Sequence, residues 1–416
     1  MQVFVAASIL PLIAGCGGNA GSTAGGGGGS PTAVTFSFSV GAPSAVAAKI
    51  GSGSYTAQSL NSGKLSLSIP SGTTSFAVAY VCTVRSSVVF QEVFEASTAD
   101  GSSFTLPCAA SSSSKQTGTL SANLDATGIP QATAVSVAAE NGDFLVMAGA
   151  PFSASFSFSA PAGSDRIEVL AYNSVSQGLP SSSSLVAARN FDNQAVPGTL
   201  NGGNQIILGP ADETSQQSIT YTNIPAGYSA PYTAVNYLMG GVGFPVSTST
   251  TEYPALPAGA TESDDFYAFF GTAISLANPG EMMIVAKSAT SAGPVSFSFP
   301  SPWTYAGPTP AAGPTFNLAY SGFSGNEGVY RSVFTSWGTT SPTEMEVTAS
   351  ANYQNGSATL TLPDLSGLTG FVSAPPSGAQ ILWVALIAQN NLGIQKPIAA
   401  NSIIATVENS GTYTVP

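Results

Sequence analysis

Histidine is absent from this chain. Its absence removes Ser–His nucleophile activation, His-ligated metals and imidazole acid–base chemistry together. Charge is scarce as well: Asp, Glu, Lys and Arg make up 7% of the 416 residues, against about 25% in ordinary soluble proteins. With nine Lys and Arg and a net charge of −12, the chain repels a polyanion, so nucleic acid is excluded as a partner. Beyond the N-terminus no apolar run approaches the ~20 residues of a membrane helix. The 43% apolar content is too high for a disordered chain.

What is present is alternation interrupted by proline corners. Leu65 to Tyr80 reads LSLSIPSGTTSFAVAY. Leu65, Leu67 and Ile69 alternate with serines, which is the two-residue period of a half-buried strand. Pro70 ends the ladder, Ser71 and Gly72 turn the chain, and Phe76, Val78 and Tyr80 resume the alternation. Related stretches surround Pro161, Pro257 and Pro376, at intervals of 91, 96 and 119 residues. That spacing matches a β-sandwich of about 100 residues. A strand–turn–strand unit cannot bury its own face, so each copy requires a surrounding sandwich.

The expected fold is therefore all-β, with tandem antiparallel β-sandwich domains. The boundaries are 31–112, 113–209, 210–310 and 311–416. Ile381 to Ile387 is the most apolar strand and is expected at the centre of a sheet. Ile403 to Val407 and Tyr413 to Val415 read as two closing strands. Asn141-Gly142 is a hairpin signal, and Pro300 to Pro314 reads as a stiff junction. Asp364 to Leu368 is the one short helical candidate.

The corner Ile69-Pro70-Ser71-Gly72-Thr73 followed by alternating apolar residues resembles a turn of transthyretin-like and immunoglobulin-like modules in bacterial surface proteins. At the other end, Leu12-Ile13-Ala14-Gly15-Cys16 closes a short apolar leader and resembles the lipobox of bacterial lipoproteins. The resemblance implies a signal peptide over 1–15, cleavage before Cys16 and lipidation of that cysteine. Gly17 at the next position implies the outer membrane or cell surface rather than retention at the inner membrane. Residues 17–30 are nearly all Gly, Ser, Ala, Thr and Asn, a flexible tether spanning roughly 20 Å.

Cys82 and Cys108 are the only other cysteines. Outside the cytoplasm, a pair in one expected domain reads as a disulfide. The spacing lacks CxxC, and there is no histidine to complete a metal site.

Two groups of residues could carry chemistry. Glu262, Asp264 and Asp265, with Glu344 and Glu346, are candidates for the paired carboxylates that a glycoside hydrolase would need. Glu344 and Glu346 are two apart in a strand and share a face, which reads more simply as a solvated acidic edge that resists strand pairing. The Glu262–Asp265 cluster offers oxygens to Ca²⁺ but lacks the DxDxDG spacing. Trp303, Tyr305 and Trp337 are the aromatics that could stack on a sugar ring if exposed; the alternative is packing between domains. Trp383 reads as core. The serine runs 111–114 and 181–184 are loops open to O-glycans.

The resulting expectation is a non-enzymatic surface lipoprotein with a structural, adhesive or assembly role. It would have no cofactor and no metal, a membrane partner through its lipid, and capacity for self-association. The alternatives are a carbohydrate-binding surface protein and, behind it, a carboxylate-based hydrolase.

Overall fold

The computed structural model describes residues 31–39, 42–84, 88–108, 117–140, 144–148, 153–176, 179–180, 185–239, 242–311, 313–323, 327–338, 343–372, 374–393 and 400–416. Cys16, the tether, Asn141-Gly142 and both serine runs lie outside them. Within them the structure is all-β. The single α-helix among the described residues is the short turn Ala351–Gln354, whose cap Ser350 accepts from Tyr353 N. The helical candidate at Asp364 forms tight turns instead. Its carboxylate takes the Ser366 backbone N–H at 3.0 Å, a local bond that competes with a helix.

One strand order occurs four times, built from a small sheet facing a larger one. The first strand lies in the small sheet, the second and third in the large, the fourth in the small, and the fifth and sixth in the large. The seventh returns to the small sheet, parallel to the first. In the first set the small sheet is Lys64–Ile69, Thr32–Ser39, Ser103–Pro107, and the large one is Thr56–Ala57, Ala45–Ile50, Ser75–Val84, Val88–Ser97. The second set places Thr117–Asp125 between Ser153–Pro161 and the short Gly198–Thr199 and Ile206–Ile207. Its large sheet is Phe144–Ala148, Ala134–Ala139, Gly163–Tyr172, Leu185–Val196. In the third, Ser215–Thr222 lies between Glu252–Ala255 and Val295–Ser298, facing Val242–Ser249, Tyr232–Met239, Phe266–Ile274, Glu281–Ala289. The fourth pairs Thr315–Asn317 with Thr359–Thr361, facing Thr343–Ser350, Val329–Trp337, Gln380–Asn390, Ile403–Thr414; no seventh strand occurs among its described residues.

The proline corners fall at the passage from the fourth to the fifth strand of each set, where the chain leaves the small sheet for the large one; Pro161 is itself the last residue of its fourth strand. Lys64–Ile69 is in one sheet and Ser75–Val84 in the other; Ser153–Pro161 and Gly163–Tyr172 separate likewise. Proline suits this position because ladder pairing must stop there. Gly72, at φ +86°, supplies the left-handed turn that a Cβ would strain. Between Thr359–Thr361 and Pro376 the described residues form no strand, and Gln380–Asn390 follows.

The large sheets of the first, third and fourth sets are not separate. Glu281–Ala289 pairs antiparallel with Ile403–Thr414, and Thr343–Ser350 pairs parallel with Val88–Ser97. A single twelve-stranded sheet results, with the fourth set in the middle. Gln380–Asn390 is interior to it, as its apolar run implies. The two expected closing strands are one, Ile403–Thr414. Gly411 keeps it continuous: a Cβ there would stand 2.7 Å from the Trp383 ring.

The sheet is buried on both faces over long stretches. On one face, Phe76, Val78, Tyr80 and Phe94 pack with Phe36, Leu65 and Leu106 of the first small sheet, and this cluster runs on to Phe270, Tyr330 and Ile404. On the other, Ala79 and Val93 join Val285, Val333, Trp383 and Val407. The first small sheet thus lies on the opposite side of the long sheet from the other two. The second set has its own core around Leu120, Val135, Val137, Ile167 and Val169. Its outer residues Ala138, Leu170 and Tyr172 pack against Val235, Tyr237 and Phe244 of the third. Cys82 and Cys108 form a disulfide, with Cα atoms 5.6 Å apart.

Candidate functional site

Trp303 and Tyr305 are brought together but face inward. Trp303 is 5% exposed, stacks on Tyr305 at 5.0 Å and 12°, and donates its indole N–H to Ala319 O at 3.0 Å. Tyr305 meets Trp383 edge-on at 5.6 Å, and burial lifts its hydroxyl to about 12. Asn409 donates to Trp303 O, and Tyr320 to Ser301 O. The Pro-rich segment is therefore packed onto the fourth set and closes its core. No ring face of Trp303 is free to stack on a sugar.

Trp337 is half-buried and lines a pocket of about 170 Å³ between the two sheets of the fourth set. It stands at the end of Val329–Trp337, with Met345 on the next strand. Ile381 and Tyr413, register partners at the starting end of Gln380–Asn390, complete that wall. Leu362 and Leu365 come from the connection after Thr359–Thr361. Neither Trp303 nor Tyr305 is among the lining residues. These segments are far apart in sequence, and only Trp337 carried a signal that could be read beforehand.

The polar atoms around this pocket are largely engaged already. Thr335 Oγ1 donates to Met345 O and Tyr413 hydroxyl to Ala311 O. Asp364 accepts from Ser366, and those hydrogen bonds hold its carboxyl below the usual range. Ligand pockets commonly run to 300–1,000 Å³, so this one admits a single small group. A sugar ring inside it would bury hydroxyls with few partners, each at a cost of about 1–3 kcal/mol. An aliphatic or aromatic side chain meets no such cost.

The singled-out acids are spent on internal contacts. Asp265, 2% exposed, is ion-paired with Arg166 of the second set through a short hydrogen bond. It also accepts from Tyr237 hydroxyl at 2.8 Å and from Glu262 N at 3.0 Å. Asp264 and Glu140 flank the same guanidinium at 3.8 Å each. Glu262 accepts from Asn190 of the second set. Glu168, 1% exposed beside this cluster, is pushed well up by burial and then by the Asp265 charge. The cluster thus docks the second set on the third through one arginine. Among the described residues no group of three or more His, Cys, Asp or Glu could hold a metal ion.

Glu344 and Glu346 do share a face, but their strand is not an edge. It is hydrogen-bonded on both sides, to Val329–Trp337 and to Val88–Ser97. A solvated acidic edge is therefore the wrong description. Glu346 accepts from Ser332 Oγ at 2.8 Å and Thr348 Oγ1 at 3.2 Å, and stands directly opposite Glu92. Glu92 accepts a short hydrogen bond from Tyr80. Sequence reading missed Glu92, since its neighbour across the joint is 254 positions away.

No protein-family model matches the chain, and no curated protein is significantly similar to it.

Proposed function

We propose that this chain is a non-enzymatic component of a bacterial cell envelope, anchored by a lipid on Cys16, with a structural, adhesive or assembly role. Each strand set acts as an immunoglobulin-like domain in a tandem series. The observation that carries the reading is the twelve-stranded sheet. Edge pairing fixes three sets in one orientation, which suits a stiff spacer or platform. The internal use of Asp265, Glu346 and Glu92 supports it, since a hydrolytic pair has to reach substrate and water. The apolar socket at Trp337 suits capture of one apolar side chain from a partner protein.

Two tests address the reading separately. Cys16→Ser abolishes incorporation of labelled fatty acid in a bacterial host; undiminished labelling would overturn the anchor. Glycan-array binding by the purified full chain is expected to be absent. The carbohydrate-binding alternative rests on the half-exposed Trp337. Saturable binding to a defined glycan, lost in Trp337→Ala, would establish it in place of the adhesive reading.

A further inference from the structure

The joint between the first and fourth strand sets is closed over two carboxyl groups. Val88–Ser97 and Thr343–Ser350 run parallel, with Glu346 in register with Glu92. Both side chains lie on the face that carries Val78, Tyr80 and Phe94. Glu92 is 8% exposed and held by Tyr80 hydroxyl, while Glu346 is held by Ser332 and Thr348.

The groups that face this pair include no cation among the described residues. On the two strands themselves they are Phe90, Phe94, Glu344 and Thr348. Ser75–Val84 contributes Val78 and Tyr80, and Val329–Trp337 contributes Tyr330, Ser332 and Phe334. From the small sheet, Phe38 meets Tyr80 edge-on at 5.2 Å. Among the described residues, the basic side chains on neighbouring strands serve the opposite face: Lys49 pairs with Glu95 at 3.5 Å, and Arg331 donates to Leu318 O and Gln354. Glu408 shares the face but lies three strands away.

We propose that this joint is a base-labile latch. A proton held by the Glu92–Glu346 pair lets the two strand sets share one sheet. When both carboxyls ionise, like charges face each other across the parallel pair with no cation between them, and the first set parts from the fourth. Like charges directly opposite on neighbouring strands are repulsive, and two carboxylates sharing one site do not ionise together readily. Burial pushes both carboxyls up, and the Glu346 charge raises Glu92 further. Besides the backbone ladder itself, the side-chain hydrogen bonds across the joint among the described residues are Asp100 to Ser350 and Asn352, Tyr353 to Glu95, and Val372 N to Gln91. The Cys82–Cys108 disulfide lies within the first set, so that set stays intact when it parts.

Hydrogen exchange on the full chain, corrected for intrinsic rates, tests the latch between about pH 6 and pH 9. Amides of Val88–Ser97 and Thr343–Ser350 are expected to lose roughly tenfold or more in protection, one decade for each unit that the folded and open carboxyls differ. Those of Thr32–Ser39, inside the first set, keep theirs. Glu346→Gln removes one charge and flattens the loss at the joint. Constant protection in the natural chain, or an equal loss in Glu346→Gln, would overturn the proposal. An infrared measurement on the natural chain adds a check independent of how the variant folds. The carbonyl band of a protonated carboxylic acid must be present near pH 6 and weaken toward pH 9; its absence near pH 6 would also overturn the latch.

Discussion

Replacing Glu408 by glutamine is expected to raise stability by about 3 kcal/mol at pH 8 and to leave it unchanged at pH 4. Glu408 lies on Ile403–Thr414, between Met282 and Leu386 on the two neighbouring strands. It is 3% exposed, and no hydrogen bond or ion pair joins its carboxyl to another described residue. Burial raises its carboxyl from 4.5 to about 7. The folded state therefore binds the proton more tightly than the unfolded state does. Its contribution is fully present below about pH 4.5 and is lost as pH rises to about 7. A shift of about 2.5 units at 1.36 kcal/mol per unit gives roughly 3 kcal/mol. Glutamine keeps the shape and has no charge to acquire, so the pH dependence of this position disappears.

Urea unfolding followed by tryptophan fluorescence is the natural assay. Trp303 and Trp383 share the fourth-set core and Trp337 packs against it, so the signal reports the region that contains Glu408. Other buried acids give the natural chain a pH slope of their own, and the difference between the two proteins isolates this one. A stability difference that stayed constant from pH 4 to pH 8 would refute the reasoning. So would destabilisation of Glu408→Gln at every pH.

Three further outcomes follow from single contacts. Gly411→Ala places a Cβ 2.7 Å from the Trp383 ring and is expected to cost about 1–3 kcal/mol, read as a lower urea midpoint by the same fluorescence. Cys82→Ser opens a disulfide spanning 26 residues; thermal unfolding should show a loss of about 2–4 kcal/mol, confined by hydrogen exchange to the first set. Asp265→Asn leaves Arg166, 7% exposed, without its closest partner. A loss of about 3 kcal/mol should appear as easier proteolysis within the second set, and unchanged proteolysis would argue that the arginine does not hold that contact.

The fold was legible wherever a side chain repeats every second residue. Leu65, Leu67 and Ile69 are buried and the serines between them exposed, as the alternation requires. The proline corners were legible as turns, although their placement at the crossing between sheets was not. Side-chain patterns are local, whereas sheet order depends on which backbone edges meet. For the same reason no residue announces the pairing of Val88–Ser97 with Thr343–Ser350, since edge pairing uses N–H and C=O groups that every residue carries. Two closing strands were expected where one runs through, and between them Gly411 makes room for an aromatic ring. Trp303 and Tyr305 kept both the packing and the stacking reading open in sequence, because a Pro-rich segment looks the same laid across a core or exposed.

The scarcity of charge can be traced to the architecture. In an isolated sandwich the outer face of each sheet meets water and carries much of the charge. Here many outer faces are covered as well. All six residues of Ala134–Ala139 are buried, and Ala77 and Ala79, outward from the first small sheet, are fully enclosed. A lysine or glutamate at such positions would have to be desolvated, at a cost of several kcal/mol unless paired. Small and apolar residues are what this packing tolerates. Among the acids that do occur on covered faces, Glu92, Glu168 and Glu408 have their carboxyls pushed up by burial. The packing that excludes charge from the sequence therefore concentrates the chain's response to alkaline pH at a small number of positions, and Glu92, Glu346 and Glu408 lie on strands that join one set to another.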